Sequence, residues 1–230
     1  QRMIEIPELE YTALVSRLST TDRSSEVLRQ LLTWQLEPAQ KGLLRLAEQA
    51  KSLARRLGKG ELDLDVGGQN VRLDPQQWAP FFGELVHVVR NAVDHGLEPT
   101  SERVELGKPS RGSLALKAKV EGDTLVFEVT DDGRGIDWTG IAEQAKAQGL
   151  PHATQTDLLD ALCADGLTTR GDANEVSGRG MGMAALRARV RSMNGRLEVR
   201  SAKSVGTSWF MRFPWPTKQA AAAASSASSP

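Results

Sequence analysis

Two histidines and an asparagine stand at helical spacing in the stretch Glu84-Leu85-Val86-His87-Val88-Val89-Arg90-Asn91-Ala92-Val93-Asp94-His95-Gly96. At about 100° per residue, Glu84, His87, Asn91, Asp94 and His95 gather on one side of a helix, with Arg90 at its edge. Phe81, Phe82, Leu85, Val89, Ala92 and Val93 gather on the other, as a buried stripe should. A solvent-facing helix stripe usually carries Lys, Glu and Gln. This one carries two of the three histidines in the chain, a composition that suits either the lining of a site or an unusual wet face. Asn91 offers a neutral oxygen, a suitable Mg²⁺ ligand where phosphates supply the charge.

Three glycine clusters follow. Asp131-x-Gly133-x-Gly135 comes directly after a strand pattern, Gly178-Arg179-Gly180-Met181-Gly182 directly before a helical one, and Gly206-Thr207 where the last strand begins. Glycine at alternate positions lets backbone approach a ligand. Where such a run opens a helix, free N–H groups and the helix dipole favour an anion, so the second cluster is the candidate for a phosphate end. The first places a carboxylate at a strand end, able to accept a hydrogen bond from an exocyclic amine such as that of adenine. Each cluster alone also reads as an ordinary turn. A Rossmann reading is disfavoured because no strand immediately precedes the second run, and no Gly-Lys-Ser/Thr follows a strand as a P-loop requires.

The elements that must position these residues are legible in outline. An amphipathic helix with Leu43, Leu46, Ala47, Ala50, Leu53, Ala54 and Leu57 is ended by Gly58 and Gly60. Residues 61–66 alternate as a strand, Gly67-Gly68 turns it, and residues 71–73 are expected to pair back. Asp74-Pro75 opens the site helix. A polar loop is expected over 97–112, then a hairpin over 114–129, a helix over 138–148, a long lid-like loop over 149–182, a helix over 183–193 and a final hairpin. This order predicts a two-layer α/β (α+β) sandwich, a mixed sheet covered on one face by helices.

The chain has 230 residues, 40% of them apolar and 25% charged, with 29 basic and 29 acidic side chains. A balanced charge argues against nucleic acid and anionic membranes as partners, and no apolar run reaches the roughly 20 residues a membrane helix needs. The single Cys163 excludes an internal disulfide and fits a reducing, cytoplasmic setting. The expected division is a linker or remnant of a preceding domain over 1–30, a catalytic domain over 31–216 and a low-complexity Ala/Ser tail over 217–230. A first residue other than Met suggests a piece of a longer protein.

The ordered set of motifs resembles the N, G1, G2 and G3 boxes of the Bergerat-type ATP-binding fold of gyrase, Hsp90, MutL and histidine kinases. It is most similar to the CheA-type (chemotaxis) histidine kinases. The resemblance rests on His87-x-x-Arg90-Asn91-Ala92-x-Asp94-His95-Gly96, on Glu98-Pro99 with Arg103, Gly107-Lys108-Pro109 and Gly112, on Asp131-Asp132-Gly133-Arg134-Gly135-Ile136-Asp137, and on Glu175-Val176-Ser177 through Met183. It covers about residues 36–214.

This resemblance implies a protein-histidine kinase domain that binds ATP and Mg²⁺. Adenine would lie against Asp131, Gly133 and Gly135, supported by Thr207. The phosphates would lie near Asn91, His95, Gly178, Arg179, Gly180 and Gly182, with Mg²⁺ on Asn91. His87 takes the place of the catalytic Glu of related ATPases, as a general base. Arg90 reads as a structural ion-pair partner, and Arg134 and Arg179 as candidates for phosphate contact. The partners implied are a histidine phosphotransfer domain, in the parent protein or in trans, a downstream response regulator, and a second copy if the parent is a homodimer. With His87 and His95 assigned to the site, only His152 remains, in a loop, so the phosphorylated histidine must lie elsewhere. Leu167 stands where CheA-type lids carry Phe. That departure keeps a non-catalytic ATP-binding module open as the alternative reading; a gyrase-like ATPase is disfavoured by His87 itself.

Overall fold

The computed structural model describes residues 6–18, 34–68, 70–164 and 181–215. Five strands form a mixed sheet in the order β2 (Leu62–Val66), β4 (Gly112–Glu121), β5 (Thr124–Asp131), β7 (Gly206–Pro214), β6 (Arg196–Ala202). β2 runs parallel to β4, and every other pairing is antiparallel. The strands alternate as a one-sided sheet should. Leu114, Leu116, Leu125, Phe127, Val129, Trp209, Met211 and Phe213 point inward and are buried. The opposite face is polar, with Lys117 paired to Asp65 at 2.7 Å, and with Arg200 and Arg212 over the Phe210 ring at 5.2 and 5.6 Å. The expected two-layer α/β sandwich, helices on one face of a mixed sheet, is therefore the architecture observed.

Helices α2 (Ala39–Arg56), α3 (Pro75–Asn91) and α7 (Met181–Ser192) cover the inner face. Asp74 caps α3, its carboxylate accepting N–H bonds from Gln76 at 2.8 Å and Gln77 at 3.4 Å, with Pro75 as the first helical residue. Trp78 and Phe81 of α3 meet Phe127 and Phe213 of the sheet, with ring centroids 4.8–5.5 Å apart. This aromatic cluster fixes the rotation of α3, and so decides which way His87 and Asn91 face. Val88 is buried although the helical wheel left it outside the apolar stripe, and Phe82 is only partly buried.

Three expectations are corrected. Residues 71–73 do not pair back on β2. Instead β3 (Arg72–Leu73) bridges β1 (Glu37–Pro38), while β2 is taken by β4, fifty residues on. Alternation signals an extended chain but does not name its partner, and Gly68, with φ +123°, carries the chain off the sheet edge instead of closing a hairpin. The polar loop over 97–112 contains a short helix, α4 (Thr100–Glu105). The site helix does not continue as α to Gly96: Ala92–Gly96 is a π-helical turn, closed by Leu97 N–H to Ala92 C=O at 2.8 Å.

The remaining helices are α1 (Glu8–Leu18), α5 (Trp138–Ala147) and α6 (Gln155–Leu162), the last falling inside the stretch read as a lid-like loop. α1 lies beside the β1–β3 bridge, where Glu10 accepts from Trp34 Nε1 at 3.1 Å and faces Arg72 at 3.6 Å. Leu167, the stretch over 19–33 and the tail over 217–230 lie outside the described residues.

Candidate functional site

Asp131 ends β5, where the inward period of Leu125, Phe127 and Val129 delivers a carboxylate to the buried face; it is 4% exposed. Its Oδ1 accepts the Gly133 N–H at 3.0 Å, and the Thr207 N–H, opposite it in the β5–β7 ladder, also favours the ionised form. Burial outweighs both, helped by the neighbouring charges of Asp132 and Glu98, and pushes the Asp131 pKa up to about 6. Thr207 is itself buried, its hydroxyl 3.0 Å from Ser201 Oγ. Ser201 also accepts the Ile136 N–H at 2.8 Å and so ties Gly135-Ile136 to the β6–β7 hairpin.

Two of the glycines here are demanded by close approach. A Cβ on Gly133 would come 2.8 Å from Leu97 N, and one on Gly206, whose φ is +129°, would come 2.9 Å from both Asp131 C and Asp132 Cα. Gly135 sits at φ +76° under the backbone of Ala202. The Arg134 N–H donates to Gly96 C=O at 2.9 Å, joining the loop after β5 to the end of the π-turn.

On α3, His87 and Asn91 are both partly exposed, with the His87 Nε2 3.7 Å from Glu84 Oε2. Gly182 in the first turn of α7 lies against the His87 ring: a Cβ there would come 2.5 Å from Nδ1. His95, on the π-turn, is more open, its side chain 54% exposed and 3.9 Å from Asp94 Oδ2. The turn is held from beneath by Lys59, buried, whose Nζ donates to Leu97 C=O at 2.6 Å and to Asp94 C=O. The structure thus brings His87 against Gly182, and Asp131 against Gly133, Gly96 and Thr207. Gly178, Arg179 and Gly180 lie outside the described residues.

A buried ionic cluster braces the loop after β5. Arg103 of α4, fully buried, reaches Glu98 at 3.0 Å and grips both carboxylate oxygens of Asp132 at 3.1 and 2.7 Å. Lys108 places its three donors on Glu98 Oε1, Asp132 C=O and Gly133 C=O, each at 2.8 Å. Arg134, read as a phosphate candidate, turns its guanidinium to Glu102 at 3.2 Å. Lys59, Asp132 and Ser201 carried no site assignment from the sequence. Asp132 had a signal as a member of the Asp131–Asp137 motif, and Ser201 because the period of Leu197 and Val199 continues to it.

Among the described residues no group of three His, Cys, Asp or Glu side chains could hold a metal ion. The neutral amide of Asn91 suits a cation whose charge is balanced by phosphate oxygens. A buried acceptor carboxylate and a helix presenting His and Asn, joined through Gly96, suit a purine nucleotide: the base at the strand ends, the phosphates along α3.

Residues 83–217, more than half of the chain, match the family described as histidine kinase-, DNA gyrase B-, and HSP90-like ATPase, and the chain belongs to that family. It is 30% identical to the sensor histidine kinase CheAY of Helicobacter pylori over 89% of this chain and 26% of that protein. It is 31% identical to the chemotaxis protein CheA of Treponema pallidum over 83% of this chain and 24% of that protein. The chain thus spans about a quarter of the length of these curated relatives. Among solved structures it is similar to the histidine kinase domain of a blue-light activated histidine kinase from Erythrobacter litoralis, with TM-score 0.47, 16% identity, and coverage of 94% of this chain and 92% of that one.

Proposed function

We propose that this chain is the ATP-binding catalytic domain of a CheA-like histidine kinase, transferring the γ-phosphoryl group of Mg·ATP to a histidine on a separate phosphoacceptor domain. The observation that carries the proposal is the junction at Gly96. There the buried carboxylate of Asp131 lies against the end of the same helix that presents His87 and Asn91.

Each residue has a defined task. Ionised Asp131 accepts the exocyclic amine of adenine, with Gly133 and Gly135 shaping the loop and Thr207 fixing the far wall. Asn91 would hold Mg²⁺, which would supply neutralisation of the phosphate charge. His95 and the run Gly178, Arg179, Gly180 and Gly182 are assigned to the phosphate end. His87 serves as the general base toward the incoming imidazole, with the Glu84 carboxylate 3.7 Å from its Nε2. The acceptor nitrogen forms a P–N bond as the P–O bond to ADP breaks, so positioning and charge neutralisation do most of the work. The acceptor belongs to a histidine phosphotransfer domain. A response regulator receives the group next, in the cytoplasm, and the parent protein acts as a homodimer.

A non-catalytic ATP-binding module is the second reading, favoured by Leu167 in place of a lid Phe. The nucleotide half of the proposal is tested by calorimetric titration with ATP and GTP, each with and without Mg²⁺. ATP alone should bind the wild-type chain, and Asp131→Asn should lose that binding. Equal affinity for GTP, or unchanged binding by Asp131→Asn, would contradict it.

A further inference from the structure

The base-reading carboxylate sits among charges of its own sign. Asp132 follows it in the chain and Glu98 leaves the π-turn packed against it, and both push toward its protonated form. The same two carboxylates are the anchors of the buried cluster: Arg103 spans Glu98 and Asp132, and Lys108 holds Glu98 together with the backbone carbonyls of Asp132 and Gly133. The cluster has two positive and two negative members and no net charge. The other charged groups around Asp131 are placed differently. Lys59 is turned to the carbonyls of the π-turn, Asp94 and His95 on that turn reach solvent, and Arg134 is committed to Glu102.

We infer that Arg103 and Lys108 are positioning residues for the nucleobase end of the site. They hold the Asp132-Gly133 backbone in place and cancel the charges of Glu98 and Asp132, so that Asp131 meets its ligand as a carboxylate. Neither touches the nucleotide. Both act through Asp131: geometrically, because Gly133 N–H is one of its donors, and electrostatically, because an unbalanced Glu98 or Asp132 would favour its protonation. The inference rests on the reading of Asp131 as the adenine acceptor.

The test is calorimetric titration of the 230-residue chain with ADP across pH 5–8, for wild type, Asp131→Asn, Lys108→Gln and the pair Glu98→Gln with Lys108→Gln. The ionisation of the ADP phosphates is common to all four, so the readout is the displacement of the pH midpoint between chains. Lys108→Gln should move the midpoint of ADP binding upward by about one unit. The double variant, with the charge balance restored, should return it to the wild-type position even if its affinity at high pH stays low. A Lys108→Gln midpoint equal to that of wild type would overturn the inference, leaving Lys108 a purely structural residue. An Asp131→Asn chain that binds ADP as wild type does at pH 8 would overturn the reading of Asp131 itself, a separate and recognisable failure.

Discussion

Gly182 lies against the imidazole of His87: a Cβ at that position would come 2.5 Å from Nδ1 and 2.8 Å from Cβ. The start of α7 and the middle of α3 are therefore in contact through the side chain assigned as the base. Gly182→Ala should favour the helix locally, by up to about 1 kcal/mol, yet force His87 out of place. A displacement near 1 Å can cost about 100-fold in rate. Phosphotransfer should fall by that order, and the overlap with the His87 Cβ should offset the helical gain by about 1–3 kcal/mol, so that stability falls slightly, as rates measured beside thermal melts will show.

Asn91 is the residue proposed to hold the metal. Asn91→Ala should lower the phosphotransfer rate by about 100-fold and weaken the Mg²⁺ dependence of ATP binding, leaving metal-free ADP affinity nearly intact. Wild-type transfer by this variant at saturating Mg·ATP would remove Asn91 from the mechanism.

The pKa of Asp131, raised to about 6, sets two pH effects of opposite sign. A carboxyl whose folded pKa exceeds its unfolded value stabilises the fold below the unfolded pKa, near 3.8, and loses that contribution as pH rises through about 6. Asp131→Asn, which carries no charge, should therefore be more stable than wild type at pH 8, by up to about 3 kcal/mol, with the difference closing toward pH 4. Wild-type ATP affinity should run the other way, weakening as pH falls through 6. Denaturant melts and binding titrations across pH 4–8 measure both.

Gly206 combines a φ of +129° with a Cβ position that would overlap the Asp131-Asp132 backbone. Gly206→Ala should cost about 3 kcal/mol or more and should depress nucleotide binding along with stability. Urea unfolding compared with wild type checks this, and a loss below about 1 kcal/mol would contradict the packing described.

Much of this arrangement could be read from local pattern. The stripe Phe81, Leu85, Val89 and Val93 announced which face of α3 is buried, and the cap Asp74-Pro75 announced where the helix begins. Asp131 was visible as a carboxylate closing an alternating strand. What stayed hidden depends on distant partners. β2 and β3 look like two arms of one hairpin until β4, fifty residues later, takes β2 as a parallel neighbour. The π-turn at Ala92–Gly96 has no periodic signature, because it is held open by Lys59 from across the domain. Glu98, Arg103 and Lys108 looked like members of a polar loop, and only folding shows Glu98 and Arg103 buried, Lys108 partly so, and all three balanced against Asp132.

The most direct test of the account mixes the chain with Mg²⁺, γ-labelled ATP and the separately prepared histidine phosphotransfer domain of its parent protein. The account predicts label on a histidine of that domain, stable to alkali and labile to acid, absent without Mg²⁺ and absent with Asp131→Asn. Tight ATP binding with no label on the acceptor, or steady release of free phosphate without need of the acceptor, would contradict it.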